Sequence, residues 1–355
     1  MSWKEEKMKL LICYGTRPEY IKVKPLIEYF KGKVNFGTVF IGQHDKWFVG
    51  NNVKGSFDFK NSPDHILRID SGSTINNNRL NSIYAYILTR STAILENYTH
   101  VLVQGDTATV AATAISAFNM GKKVIHLEAG LRTCDLKNPF PEEGYRQMVS
   151  RITDLHLCPT DDAAGNLDME HISGDIAVVG NTVLDNLKGV EASYGDKVLV
   201  TMHRRENREY FNFWFQEFNK LAIKNPDVEF VLPLHPSIDK SIKNLVPNVN
   251  VVEPMSHESL IEFLKDCRFV ITDSGGIQEE SSFLKKKAIV CRKTTERAEG
   301  LNSFFKLCES PADLDRLFIE FNNNYVIKEP CPFGDGNSAK AIFNEFKKRY
   351  SDMCL

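Results

Sequence analysis

At 355 residues the chain exceeds what one ordinary core supports, and with 42% hydrophobic and 25% charged residues it can bury two. Its 44 basic and 46 acidic side chains leave a formal net charge of −2 with no long run of either sign, which argues against a nucleic-acid surface. Eight cysteines are scattered without a C-x-x-C pair, against zinc and for reduced thiols in a cytoplasm; most lie in or beside apolar runs, where Cys is a small buried hydrophobe.

The opening "MSWKEEKMKLLICYG" mixes acids with its lysines and carries too short an apolar run for a signal peptide. No later run reaches the length of a membrane span, so a soluble, unexported protein is expected. From there short apolar runs recur in order: "KLLICY", "GTVFIG", "THVLVQ", "KKVIHL", "DLHLCP" and "DIAVVG", then "KVLVTM", "VEFVLPL", "NVNVVEP", "RFVITD" and "KKAIVC". Each has the length of a strand buried on both faces, and amphipathic stretches such as "ATVAATAISAFNMG" separate them. The alternation predicts an α/β chain of two Rossmann-like domains, each a parallel doubly wound sheet, facing one another. The first is expected over 1–178 and the second over 179–337, with the changeover near "VVGNTVLDNLKG". Neither half opens with G-x-G-x-x-G, and both G-x-x-x-x-G-K-[ST] and H-E-x-x-H are missing, so no NAD, P-loop nucleotide or catalytic zinc is expected.

Several motifs stand at predicted strand ends, and each has two readings. In "YGTRPEYIK", Thr16 to Glu19 spells a capping box with Pro18 near the first turn, while Arg17 and Lys22 are two cations beside a helix N-terminus, where phosphate is favoured. In "VQGDTAT", Asp106 suits a helix cap. "LEAGLRT" and "PFPEE" bring Glu128 and Glu142 toward the same sheet edge; Glu142 and Glu143 also suit a first helical turn. Three carboxylates together would crowd one another, raising pKa values into a range useful for acid–base work. "TMHRREN" ends a strand with His203 and Arg204, either a solvated charged turn or an anion site. "ITDSGGIQEESS" is more specific: Ser274, Gly275 and Gly276 let backbone N–H groups approach a phosphate, and a carboxylate on the following helix, which bears Glu279 and Glu280, can reach ribose hydroxyls. "TTERAEG" adds Arg297, a further phosphate partner or a surface residue.

Read together, "GTRPEYIKVKPL", "GQH", "GDTAT", "LEAGLRT", "PFPEE", "GNTVLDNL", "HRREN", "DSGGIQEES", "TTERAEG" and the closing "PFGDGNSAKAI" resemble, in kind and order, the non-hydrolysing UDP-N-acetylglucosamine 2-epimerases over nearly the whole chain. The resemblance implies a two-domain glycosyltransferase-B-like fold with its active site in the cleft, a C-terminal helix (338–355) crossing back to the first domain, and a homodimer. It implies catalytic roles for Asp106, Glu128 and Glu142, with His203 on the UDP phosphates. Around the UDP-sugar it sets Arg17, Lys22, Arg132, Arg204, His235, Ser274, Gly275, Gly276, Glu280 and Arg297. Members activated by a second substrate molecule use positions matched by Gln43, Glu142, Arg204 and His235. After Gln43, however, "DKWF" reverses the expected charges at Asp45 and Lys46, so weak or absent activation is expected.

The chemistry fits this residue set. Inverting C2 of a 2-acetamido sugar removes hydrogen from a carbon without an adjacent carbonyl, so direct deprotonation would leave an unstabilised carbanion. Oxidation by NAD would solve this, but its motif is missing. Elimination of UDP solves it differently, because positive charge developing at C1 acidifies the C2 hydrogen. An epimerase for a modified UDP-2-acetamido sugar, a hydrolysing epimerase, a glycosyltransferase of the same architecture and a nucleotide-sugar sensor are the alternatives; a sensor would not require three carboxylates.

Overall fold

A computed structural model describes residues 8–42, 62–69, 78–204, 207, 210–233, 246–323 and 327–355. The chain divides into two compact units, Met1–Asn186 together with Gly336–Leu355, and Leu187–Asp335. Among the described residues no helix is long and apolar enough to cross a membrane.

The first unit is built on seven strands: β1 (Leu10–Tyr14), β2 (Phe36–Gly42), β3 (His65–Arg68), β4 (His100–Gln104), β5 (Lys123–Leu127), β6 (Leu155–Cys158) and β7 (Asp175–Val178). They are all parallel, in the order β3-β2-β1-β4-β5-β6-β7. Helices α1 (Arg17–Phe30), α2 (Arg79–Arg90), α3 (Thr92–Leu95), α4 (Ala108–Asn119), α5 (Glu142–Ser150) and α6 (Asp161–Met169) lie between the strands in sequence.

Both faces of the central strands are covered, which explains their unalternated apolar sequences. Leu10, Ile12 and Tyr14 join Leu102, Ile125 and Leu127 in one core with Val23, Leu26 and Phe30 of α1. The intervening Leu11, Cys13, Val101, Val103 and Val124 join a second core with Ile83 and Ile87 of α2 and the small residues of α4. Period-2 alternation of side chains thus feeds two cores rather than one core and solvent.

The chain returns to this unit at its end. Helix α11 (Ser338–Arg349) begins on Asp185, whose carboxylate accepts the Ser338 and Ala339 N–H groups at 2.9 and 2.8 Å. Such a carboxylate satisfies orphan donors at a helix N-terminus. Ile342 and Phe346 then complete the core around Phe30.

The second unit carries β8 (Lys197–Thr201), β9 (Glu229–Pro233), β10 (Val249–Val252), β11 (Phe269–Thr272), β12 (Ala288–Val290) and β13 (Phe305–Leu307), parallel in the order β10-β9-β8-β11-β12-β13. Its described helices include α7 (Phe211–Lys224), α8 (His257–Asp266), α9 (Gly275–Phe283) and α10 (Leu314–Asn322). In both sheets the chain order reverses beside the first strand, at β1/β4 and at β8/β11. Ligands of doubly wound sheets bind outside the carboxyl ends of strands at such switch points. β3 and β13 are edge strands beyond the eleven runs legible in the sequence.

Candidate active site

In the first unit three loops meet at the switch point. Thr16 caps α1, accepting the Glu19 N–H at 3.4 Å, with Pro18 in the first turn and Arg17 opening the helix. Glu19 does more than close this cap. Buried, its carboxylate accepts the Gly15 N–H at 2.5 Å and the Thr107 hydroxyl at 2.8 Å, tying the β1–α1 turn to the β4–α4 turn. Desolvation pushes its pKa up to about 7, although these hydrogen bonds oppose the shift.

The cap of α4 is Thr107, which accepts the Val110 N–H, so the expectation that Asp106 itself suits the cap is corrected: two adjacent residues can cap, and Thr107 does. Asp106 faces α5 instead, where Arg146 donates Nε to its Oδ2 at 2.9 Å and brings NH2 to 2.6 Å. Arg146 also reaches Glu143 at 3.1 Å.

Glu128 follows β5 with φ 65°, a left-handed conformation that costs a non-glycine residue roughly 1–2 kcal/mol. Such cost is tolerated where the surroundings over-determine the residue. Here Lys22 Nζ lies 2.5 and 2.6 Å from the two carboxylate oxygens, Gln104 donates at 2.5 Å and Asn181 at 3.3 Å. The side chains of Lys22 and Glu128 are 14% and 7% exposed. Beneath them, fully buried His126 meets the Gly105 carbonyl at 2.8 Å, and desolvation lowers its pKa to about 4. It is therefore neutral, with Nε2–H holding the turn that presents Asp106.

Glu142 opens α5, and Glu143 behind it is fully buried. The Glu143 carboxylate accepts the Thr133 and Cys134 N–H groups and the Gln147 amide, fixing the loop between β5 and α5. The acids thus divide: Glu143 organises the loop, while Asp106 and Glu128 stand at neighbouring strand ends, each on a cation. Alternation of carboxylate with cation, rather than mutual crowding, describes these two.

The second unit repeats the plan at its own switch point. Asp273, fully buried after β11, accepts the His203 N–H at 3.0 and 3.1 Å, the Arg204 N–H at 2.9 Å and the Asn207 amide at 3.1 Å. It also stands 3.2 Å from His203 Nδ1, so the imidazole leaves β8 oriented and still partly exposed. Helix α9 starts at Gly275, where an added Cβ would lie 2.3 Å from Arg297 NH1. Arg297 therefore lies against the opening turn of α9, beside the N–H groups that favour anions. Glu279 at 2.7 Å and Glu296 hold it there, and Glu296 reaches Arg204 at 3.5 Å. Glu280 meets His257 at 2.6 Å.

A sequence model of UDP-N-acetylglucosamine 2-epimerase matches residues 31–347, nearly the whole of both units. The chain belongs to the UDP-N-acetylglucosamine 2-epimerase family. It is 34% identical over 383 aligned positions to the UDP-N-acetylglucosamine 2-epimerase of Salmonella borreze, covering 95% of this chain and 98% of that one. It is 35% identical over 377 positions to that of Campylobacter jejuni, covering 95% and 96%. The crystal structure of the UDP-GlcNAc 2-epimerase of Neisseria meningitidis bound to UDP-GlcNAc matches with a TM-score of 0.85 at 31% identity, over 96% of this chain and 100% of that one. The fold shared with these epimerases is the two-domain, glycosyltransferase-B-like α/β architecture.

Of the residues this family resemblance singles out, the structure gathers Arg17, Lys22, Asp106 and Glu128 around the first switch point, with Glu142 at the start of α5. It gathers His203, Arg204, Ser274, Gly275, Gly276, Glu280 and Arg297 around the second. Arg132 is not among them. Its buried guanidinium is bound to Glu170 at 2.7 and 3.0 Å, to the Leu131 carbonyl and to Ser150, which corrects its expected place on the substrate. Gln43, Lys46 and His235, with the charge reversal at Asp45, lie outside the described residues. Sequence reasoning missed Glu19, Gln104, Arg146, His257, Asp273 and Glu296. For Glu19, Gln104, Asp273 and Glu296 a signal existed, because all four sit inside motifs already recognised.

Proposed function

We propose that this chain reversibly epimerises C2 of a UDP-2-acetamido sugar, UDP-N-acetylglucosamine to UDP-N-acetylmannosamine in the first instance, by eliminating and re-adding UDP. The supporting observation is that Asp106 and Glu128 are released from capping and core duties and stand at adjacent strand ends, each on a cation. Membership in the epimerase family, and a relative whose structure holds UDP-GlcNAc, support the substrate.

In this reading the C1–O bond breaks with its electron pair passing to the UDP oxygen, a carboxylate among Asp106, Glu128 and Glu142 accepts the C2 proton, and a C1=C2 double bond forms. The products of this half-reaction are UDP and a 2-acetamidoglucal. A second carboxylate returns a proton to the opposite face of C2, and the UDP oxygen re-forms the bond to C1. No external electron acceptor enters. Arg17, Lys22, His203, Arg204, Arg297 and the N–H groups at Ser274 to Gly276 stabilise the departing diphosphate, and preorganised donors of this sort are usually the largest catalytic term. Glu280 accepts from the ribose. The protein acts as a homodimer, which light scattering would report.

Incubation with UDP-N-acetylglucosamine and separation of nucleotide sugars tests the reading. UDP-N-acetylmannosamine should appear, and the same ratio should be reached from either epimer. Accumulation of free N-acetylmannosamine and UDP would instead mark a hydrolysing enzyme.

A further inference from the structure

Nothing in the local structure of α8 calls for a histidine at its first position. Ser256 already caps the helix, accepting the Ser259 N–H at 3.1 Å, and a helix N-terminus favours acids over a side chain able to gain positive charge. The His257 ring turns inward all the same. Its side chain is 11% exposed, and Nε2 lies 2.6 Å from Oε1 of Glu280, which is 4% exposed. Because a carboxylate only accepts, Nε2 carries the hydrogen.

Glu280 lies on α9, just beyond the Ser274-Gly275-Gly276 start. A glutamate side chain has three rotatable bonds, and its carboxylate offers about four lone-pair positions. With one position taken by His257, the rotamer is held, and the others are the ones a pair of vicinal hydroxyls would use. We propose that His257 is a positioning residue that sets ribose specificity, holding the Glu280 carboxylate where it accepts from the 2′- and 3′-hydroxyls of the nucleotide. The inference rests on the assignment of Glu280 to the ribose.

The test is calorimetric titration of the full-length protein with UDP, 2′-deoxy-UDP and 3′-deoxy-UDP, for wild type, His257→Leu and His257→Gln. Wild type should prefer UDP to both deoxy nucleotides by ~10-fold or more, the range for leaving a charge-assisted hydrogen bond unmade. His257→Leu should weaken UDP by a similar factor while barely changing the deoxy nucleotides, so the preference collapses; His257→Gln, which keeps an N–H donor, should restore much of it. Saturating turnover should change little in both variants while KM rises in His257→Leu. Equal weakening of all three nucleotides in His257→Leu would mean a merely structural role, and a surviving preference would mean no role; either overturns the proposal alone. A wild type indifferent to the deoxy substitutions would remove the ribose assignment and the proposal with it.

Discussion

Lys22 sets its ammonium nitrogen 2.5 and 2.6 Å from the two carboxylate oxygens of Glu128, joining α1 to the end of β5. Lys22→Met takes the ammonium from that little-exposed carboxylate. Stability should fall by about 1–3 kcal/mol, the cost of leaving a buried polar group underpaired. Turnover should fall with it. Glu128→Gln removes the charge but not the shape, so it should fold and bind UDP while losing ~10² to 10⁴ in kcat. Denaturant titrations and initial rates separate the two effects.

Asp106 and Thr107 are neighbours with different duties, and two substitutions tell them apart. Thr107→Ala removes the cap of α4 and the Glu19 contact, and should lower stability by roughly 1–2 kcal/mol. Asp106→Asn should leave the melting temperature closer to wild type yet reduce turnover by ~10² to 10⁴. Near-normal rates for Asp106→Asn and for Glu142→Gln would remove both residues from the chemistry.

How far these duties are legible in sequence depends on how far apart the partners lie along the chain. The central strands announce themselves because burial on both faces demands unbroken apolar runs, as in β1. Edge strands β3 and β13 do not: His65 and Arg68 flank only two apolar residues, and Lys306 divides Phe305 from Leu307. The site divides similarly. Strand-end position and composition mark Asp106, Glu128 and the glycines before α9. Which of Asp106 and Thr107 becomes the cap is settled by Arg146, 40 residues away, and no local pattern carries that information. His257 and Glu280 pair across 23 residues for the same reason. Arg132 shows the converse, since its motif suggests a ligand and its burial beside Glu170 gives it a structural role.

Gly275 is required by what lies above it. A Cβ there would come within 2.3 Å of Arg297 NH1, so Gly275→Ala should displace the guanidinium from the start of α9. UDP affinity should drop by ~10-fold or more, as expected when a charge-assisted contact to phosphate is lost. Gly276→Ala, with nothing within 4 Å of its added Cβ, is the internal control for protein contacts. Titration calorimetry with UDP checks the pair.

Glu19 gives a pH dependence whose sign follows from its burial. Its carboxyl sits at about 7 in the folded protein against 4.5 as the reference, so the folded state disfavours its ionised form. The associated stability is fully present below about 4.5 and is lost as pH rises through about 7. Glu19→Gln cannot ionise, and its amide can still accept from Gly15 and donate to Thr107. Wild-type stability relative to Glu19→Gln should therefore decline between pH 5 and pH 8 in urea titrations; a flat difference would show that Glu19 does not titrate in this window.

The central claim is that the C2–H bond is broken and remade while UDP departs and returns. Proton NMR of the protein with UDP-N-acetylglucosamine in deuterated water tests it most directly. The C2 proton signal should disappear in step with the appearance of UDP-N-acetylmannosamine, deuterium should stand at C2 of both epimers at equilibrium, and exchange should be suppressed in Asp106→Asn and Glu128→Gln. Epimer formation with the C2 proton retained would contradict the claim.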